Sequence, residues 1–206
     1  MYSSDAGIEA ASLSALEALL RTIYPSETAP PAGLAETIIN QSLEALKEPE
    51  KNNAPGSAKA LAAMIRANRK PALNSYSKLT CAAKTGAYAL SRALPQLFRQ
   101  FDQPTLPSHR EPILNYIVTF LVVARSVYAA PDTKRNQAAE RSLEPFRNGL
   151  MDVLREGLRT NGLKVPAIKG SVALAEIPGF LGKQEVEDIV HSMDDMLINE
   201  KDPEVR

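Results

Sequence analysis

Cysteine is almost absent from this sequence, because Cys81 is the only one among its 206 residues. A single thiol excludes an internal disulfide and cannot supply the four ligands that an iron–sulfur cluster generally takes. A free cysteine is most often a small buried apolar group, although the neighbouring Lys78 and Lys84 leave a reactive thiol open as the alternative. The sequence therefore predicts neither a cluster carrier nor a disulfide-stapled secreted domain.

Long hydrophobic runs are also missing. The longest one, "ILNYIVTFLVVA" at 113–124, has 12 residues and contains Asn115, whereas a membrane span needs about 20. The first residues do not show the charged, apolar, small-residue order of a secretory signal. We expect a soluble intracellular protein with no membrane contact.

Histidine is scarce, and neither of the two histidines predicts a catalytic or metal site. His191 has Glu187 four residues before it and Asp195 four residues after it, and we expect all three on the helix side opposite the apolar stripe. Helical carboxylate sites draw matching ligands from several facing helices, and no second segment offers any. We therefore interpret these residues as an ordinary solvated face.

The remaining candidates for chemistry have simpler structural interpretations. His109 follows Ser108, which with Glu111 forms the pattern of a helix capping box. The stretch "NNAPGSAKALA" at 52–62 lacks the paired glycines and terminal Lys-Ser/Thr of a phosphate loop. Its small residues indicate a helix start at a close approach of two helices. We expect no enzyme activity and no cofactor.

Charge is balanced overall but unevenly distributed. Residues 1–50 carry eight acidic and two basic side chains, residues 59–110 nine basic and one acidic, and residues 176–206 nine acidic and three basic. The candidate docking surface in the basic middle consists of Lys59, Arg66, Arg69 and Lys70. Solvated faces, docking of an acidic protein and contact with a nucleic-acid backbone stay open for it, and we do not expect direct nucleic-acid binding.

Apolar residues recur at helical spacing almost everywhere, and alternation of period two is nearly absent. The last such stripe consists of Val186, Ile189, Val190, Met193 and Leu197. Each stripe covers only one side of its helix, so each helix needs a partner. The pattern predicts an all-α protein.

The helices also predict a repeat of helical hairpins. First helices are expected near 34–47, 84–101, 137–159 and 183–199. Second helices are expected to begin near Asp5, Ala54, Ser108, Lys164 and Asp202. Units of this size are typical of HEAT and armadillo solenoids, so we predict an α-α superhelix of about four hairpins over 1–206. Because the last residues, "DPEVR", open a helix, we also expect this segment to be an internal part of a longer chain.

Two stretches resemble the middle region of the MMS nineteen family. They are "SLEALKEPEKNNAPGSAKALAA" at 42–63 with "LSRALPQLFRQF" at 90–101, and "PAIKGSVALAEIPGFLGKQEVEDIVHSMDDML" at 166–197 running into "DPEVR". The resemblance rests on a pattern of Leu, Lys, Pro and Gly within repeats, and it is weaker over 68–88.

The resemblance implies a large HEAT-repeat adaptor of cytosolic iron–sulfur protein assembly. Such adaptors act in the nucleus and the cytoplasm, and they bridge the assembly subunits to apo-proteins of DNA repair, replication and transcription, including the TFIIH helicase, polymerases and primase. In that family the docking role is assigned chiefly to C-terminal repeats, so no functional residue is carried over. The alternative is a generic HEAT or armadillo interaction module in nuclear transport or trafficking.

Overall fold

The computed structural model describes residues 33–66, 76–128 and 143–199, together with the helical residues Ala11, Ser14, Ala15 and Ala18. These ranges contain seven longer helices and no strand. The helices are α1 (Leu34–Ala45), α2 (Asn53–Arg66), α3 (Tyr76–Asp102), α4 (Arg110–Tyr128), α5 (Arg147–Arg159), α6 (Lys164–Ala175) and α7 (Lys183–Asn199). The prediction of an all-helical protein is confirmed for these residues.

Several predicted helix boundaries are confirmed. Helix α6 begins at Lys164, and α7 covers 183–199. The stop after α5 contains Gly162 with φ of 84°, and the stop after α6 contains Gly179 with φ of 74°. Both glycines adopt the left-handed conformation that ends a helix, for which Asn161-Gly162 and Pro178-Gly179 are typical sequence signals.

One predicted first helix differs from the observed one. Helix α3 begins at Tyr76 rather than near 84, since 76–85 contains neither glycine nor proline and polar composition alone does not break a helix. Helix α5 begins at Arg147, directly after a 3-10 turn over Glu144–Phe146. Pro145 has no amide hydrogen and suits the first turn of a helix. The predicted starts at Asp5, 137 and Asp202 lie outside the described residues.

The chain divides into two compact units, Met1–Ala93 and Leu94–Arg206, and the division falls inside α3. Pro95 lies beside that point within the helix and removes one backbone hydrogen bond there. In the first unit α1 packs on α2. The core side chains of this helix pair are Ile39, Leu43, Leu46, Leu61, Met64 and Ile65.

In the second unit each helix packs on helices one or two places away along the chain. Helix α6 lies against α4, α5 and α7, and α5 also contacts α7. Because three neighbours surround α6, it is buried on several sides, at Pro166, Ala167, Gly170, Ser171, Ala173 and Leu174. This pattern is compatible with an α-solenoid, in which each repeat contacts its neighbours.

Two glycines permit the close approach of α4, α5 and α6. A Cβ built on Gly170 would lie 2.5 Å from Leu154 Cδ2 and 3.0 Å from Val118 Cγ2. A Cβ on Gly157 would lie 2.8 Å from the Cβ of Ala167. At the start of α2 the small residues that are buried are Ala54 and Ala58, whereas nothing lies within 4 Å of a Cβ built on Gly56. Of the small residues in that stretch, Gly56 therefore lies outside the packed side.

Arg147 connects the start of α5 to the loop between α6 and α7. Its Nη2 donates to the backbone carbonyl of Phe180, and its guanidinium carbon lies 5.1 Å from the centroid of the Phe180 ring. Its Nη1 lies 3.4 Å from Glu185 Oε2, the same carboxylate oxygen that accepts from the Gly182 amide at 2.7 Å. One side chain therefore stabilises both the loop and the first turn of α7.

Arg110 makes the same combination of contacts with Phe101. Its Nε donates to the Phe101 carbonyl at 3.1 Å, and its guanidinium carbon lies 5.4 Å from the ring centroid. The carbonyl belongs to the last turn of α3, where the backbone oxygens lack a helical partner. Arg110, at the start of α4, thus caps the C-terminal end of α3.

We expect Gly170→Ala to lower the free energy of unfolding by about 1–3 kcal/mol, because the new methyl group overpacks the contact with Leu154. The matched control is Gly56→Ala, which should raise it by up to about 1 kcal/mol, since alanine fits an open helical position better than glycine. Urea unfolding monitored by circular dichroism measures both. Equal effects of the two substitutions would contradict the close crossing of α5 and α6.

We expect Arg147→Lys to lower the free energy of unfolding by about 1–2 kcal/mol, because lysine cannot stack on the Phe180 ring and donate a hydrogen bond to the Phe180 carbonyl at the same time. Arg155→Lys is the control. Among the described residues the ion pair of Arg155 is with Asp152 on its own helix, at 3.5 Å, so its substitution should change stability by less than about 0.5 kcal/mol. Urea unfolding measures both substitutions. A loss of stability for Arg147→Lys no larger than that for Arg155→Lys would refute the role of Arg147.

Candidate functional site

The candidate docking surface is described at two of its four residues. Lys59 is exposed and Arg66 is half-buried on α2. They are seven residues apart, so they share one helix face and lie roughly 10 Å apart along the axis. Arg69 and Lys70 lie outside the described residues. We call Lys59 and Arg66 the basic face, and its docking role stays a prediction.

The predicted apolar stripe of α7 is wrong at Val190, which is 49% exposed, whereas Ile189 and Met196 are buried. Glu187, His191 and Asp195 are all exposed, as the interpretation of a solvated face predicted. Asp195 also lines a groove against α5. Glu187 pairs with Lys183 at 3.5 Å. Among the described residues no group of three His, Cys, Asp or Glu side chains is placed to hold a metal ion.

The predicted N-cap at Ser108 is wrong in position. Leu106 has the extended conformation of a residue before a helix (φ −132°, ψ 144°), and Pro107 begins a 3-10 turn that leads into α4. Proline suits a first helical position because its φ is fixed there and its missing hydrogen is not needed. Ser108 and His109 are therefore already inside the turn. Cys81 lies in α3, but its side chain is outside what the structure describes.

A concave surface lies between α5 and α7, beside the start of α6. This α5–α7 groove has a volume of about 270 Å³. It is lined by Arg155, Leu158, Arg159, Lys164, Ser192, Asp195 and Met196. Three cations and one carboxylate surround two apolar side chains. Sequence analysis did not single out these residues, although Arg155 and Arg159 are spaced four apart and so share a helix face.

A small recess shares part of its wall with the groove. Its volume is about 10 Å³, and Arg155, Leu158 and Ser192 line both spaces. Ser171 also lines the recess, is 1% exposed, and has a buried Oγ with no hydrogen-bond partner in the described chain. A buried hydroxyl without a partner is unfavourable, so this one is available to a water or a ligand atom.

Tyr116 on α4 is the buried titratable residue that gives a pH-dependent test. Burial raises the pKa of its hydroxyl above the usual 10.0. The folded state therefore holds this proton when the unfolded chain has lost it. The contribution of the protonated hydroxyl to the free energy of unfolding is fully present below pH 10. It is lost as pH rises through the raised pKa.

We expect the wild-type chain to lose stability relative to Tyr116→Phe as pH rises above about 10, because only tyrosine must ionise at that position. Urea unfolding of both chains across pH 8 to 11 measures the difference in free energy, in which the titration of other groups cancels. A difference that stays constant over that range would contradict the raised pKa.

Every helix in the described ranges is too short or too polar to cross a lipid bilayer. Comparison with known proteins gives no match to any family model, curated protein or solved structure. No relative therefore assigns a role to the basic face or to the groove. The resemblance to the MMS nineteen family remains a prediction based on the quoted segments.

Proposed function

We propose that this chain is a non-enzymatic protein-binding scaffold built as a HEAT-type superhelix of stacked helical hairpins. The observation that carries this proposal is the order of helix contacts. Helix α1 packs on α2, α5 on α6, α4 on α6 and α5 on α7. Packing within a hairpin and onto the next hairpin buries the apolar side of each helix. It leaves extended surfaces to which partners can bind.

The more specific proposal is an adaptor of cytosolic iron–sulfur protein assembly, acting in the nucleus and the cytoplasm. It is supported by the segments 42–63, 90–101 and 166–197, which resemble the MMS nineteen family. The adaptor would bridge assembly subunits to apo-proteins such as the TFIIH helicase, polymerases and primase. A single cysteine is consistent with a bridge that does not itself hold a cluster.

The basic face is the first place to seek a docking surface for such partners. Lys59 is exposed on α2, and Arg66, seven residues further on, is half-buried on the same helix face. The surrounding sequence from 59 to 110 carries nine basic groups and one acidic group. A surface of one sign attracts an acidic partner and speeds its association.

The test is co-capture of purified apo-helicase and assembly subunits by the tagged chain. Lys59→Glu/Arg66→Glu should reduce capture on the order of tenfold, because two attractions become repulsions. The matched control Lys169→Glu/Lys183→Glu makes the same charge change on α6 and α7 and should leave capture within about twofold.

Three results would contradict these proposals. Absence of capture by the wild-type chain would reject the iron–sulfur role and leave a generic HEAT or armadillo module in nuclear transport or trafficking. Equal losses in both double variants would reject the basic face. A metal or cofactor in elemental and absorbance analysis of the purified chain would reject a non-enzymatic scaffold without a cofactor.

A further inference from the structure

We propose that the α5–α7 groove is a second docking site, which binds an acidic peptide segment of a partner protein. A carboxylate of the peptide would lie among Arg155, Arg159 and Lys164, and an adjacent apolar side chain would pack on Leu158 and Met196. This site is separate from the basic face, and it does not depend on a role in iron–sulfur assembly.

The charges of the groove favour a carboxylate ligand. Arg155 is partly engaged by Asp152, at 3.5 Å. Arg159 is exposed, and the described residues provide no ion-pair partner for it. Lys164 opens α6, and Leu163 before it makes no side-chain cap, so the positive end of the helix dipole adds to the same field. With Asp195 as the one acid, the lining has an excess of two positive charges.

Arg159 also has a structural role to weigh against a binding role. A cation in the last turn of a helix is stabilised by the helix dipole without any ligand. That effect explains one cation at the end of α5. It does not explain why Lys164 from α6 faces the same space, or why the opening extends over Leu158 and Met196.

The unpartnered hydroxyl beside the groove is an independent indication of a ligand. Ser171 is almost completely buried, and its Oγ lacks a partner in a recess with a volume of about 10 Å³. That is roughly the space of one water molecule. Arg155, Leu158 and Ser192 line both the recess and the groove, so the unsatisfied hydroxyl lies directly behind the groove wall.

The shape and the chemistry distinguish a peptide from other anionic ligands. A volume of about 270 Å³ lies just below the range of about 300–1,000 Å³ for small-molecule sites, so it suits one or two side chains of a longer segment. Leu158 and Met196 give a phosphodiester backbone nothing to bind, whereas they offer a contact to an apolar peptide side chain.

The test uses the 206-residue chain and a fluorescein-labelled peptide of alternating glutamate and leucine. Fluorescence anisotropy gives its Kd. Matched probes are the same peptide with glutamine in place of glutamate and a labelled single-stranded oligonucleotide. We expect binding of the acidic peptide alone, weakened at about 1 M salt, where the Debye length is about 3 Å.

The variants assign the binding to the groove. Arg159→Gln should raise the Kd of the acidic peptide about fivefold, and Arg159→Gln/Lys164→Gln at least about tenfold. Asp195→Asn should lower the Kd about twofold or more, because a repulsive carboxylate is removed. Lys169→Gln, the same change elsewhere on α6, should leave it unchanged.

Circular dichroism and thermal melting establish that each variant is folded. Tighter peptide binding by Asp195→Asn is informative even where an arginine or lysine variant loses stability, since damage to the fold does not tighten binding. Equal binding of the glutamine peptide, preference for the oligonucleotide, or equal effects of Arg159→Gln and Lys169→Gln would each overturn the proposal. Absence of binding between the wild-type chain and the labelled acidic peptide would overturn it as well, even if partner capture through the basic face succeeds.

Discussion

Close contact between the backbone at two glycines and side chains of neighbouring helices is the constraint on which the packing of α4, α5 and α6 depends. Gly157 and Gly170 leave no room for a Cβ against Ala167 and Leu154, so the three helices approach more closely than side chains of ordinary size allow. Burial of α6 on several sides follows from this approach, and so does the recess in which the Ser171 hydroxyl is left without a partner. The position of α7 then determines the width of the groove that Arg159 and Lys164 line.

Arginine–phenylalanine pairs hold the ends of these helices. Arg110 with Phe101 and Arg147 with Phe180 each combine a stacked guanidinium with a hydrogen bond to the carbonyl of the same phenylalanine. The planar guanidinium makes both contacts at once, which a lysine ammonium cannot do. The glycines therefore determine how closely the helices pack, and the arginines determine where neighbouring segments meet.

Sequence patterns predicted the helices well and their contacts poorly. Apolar spacing and turn residues located α6 and α7, because Asn161-Gly162 and Pro178-Gly179 act on the local backbone. The same spacing misplaced Val190 in the core, since two adjacent rows of side chains were apolar and only the partner helix decides which row is covered. The groove was missed for a similar reason, as Arg159, Lys164 and Asp195 come from three helices whose crossing no local pattern encodes.

The central claim is that each helix of the second unit is stabilised by its neighbours along the chain. Amide hydrogen exchange of Ile189→Ala tests it most directly, because this substitution weakens the packing of α7 on α5 and α6. The account predicts faster exchange in α5, α6 and α7 and unchanged exchange in α1 and α2. A uniform loss of protection along the whole chain would contradict it.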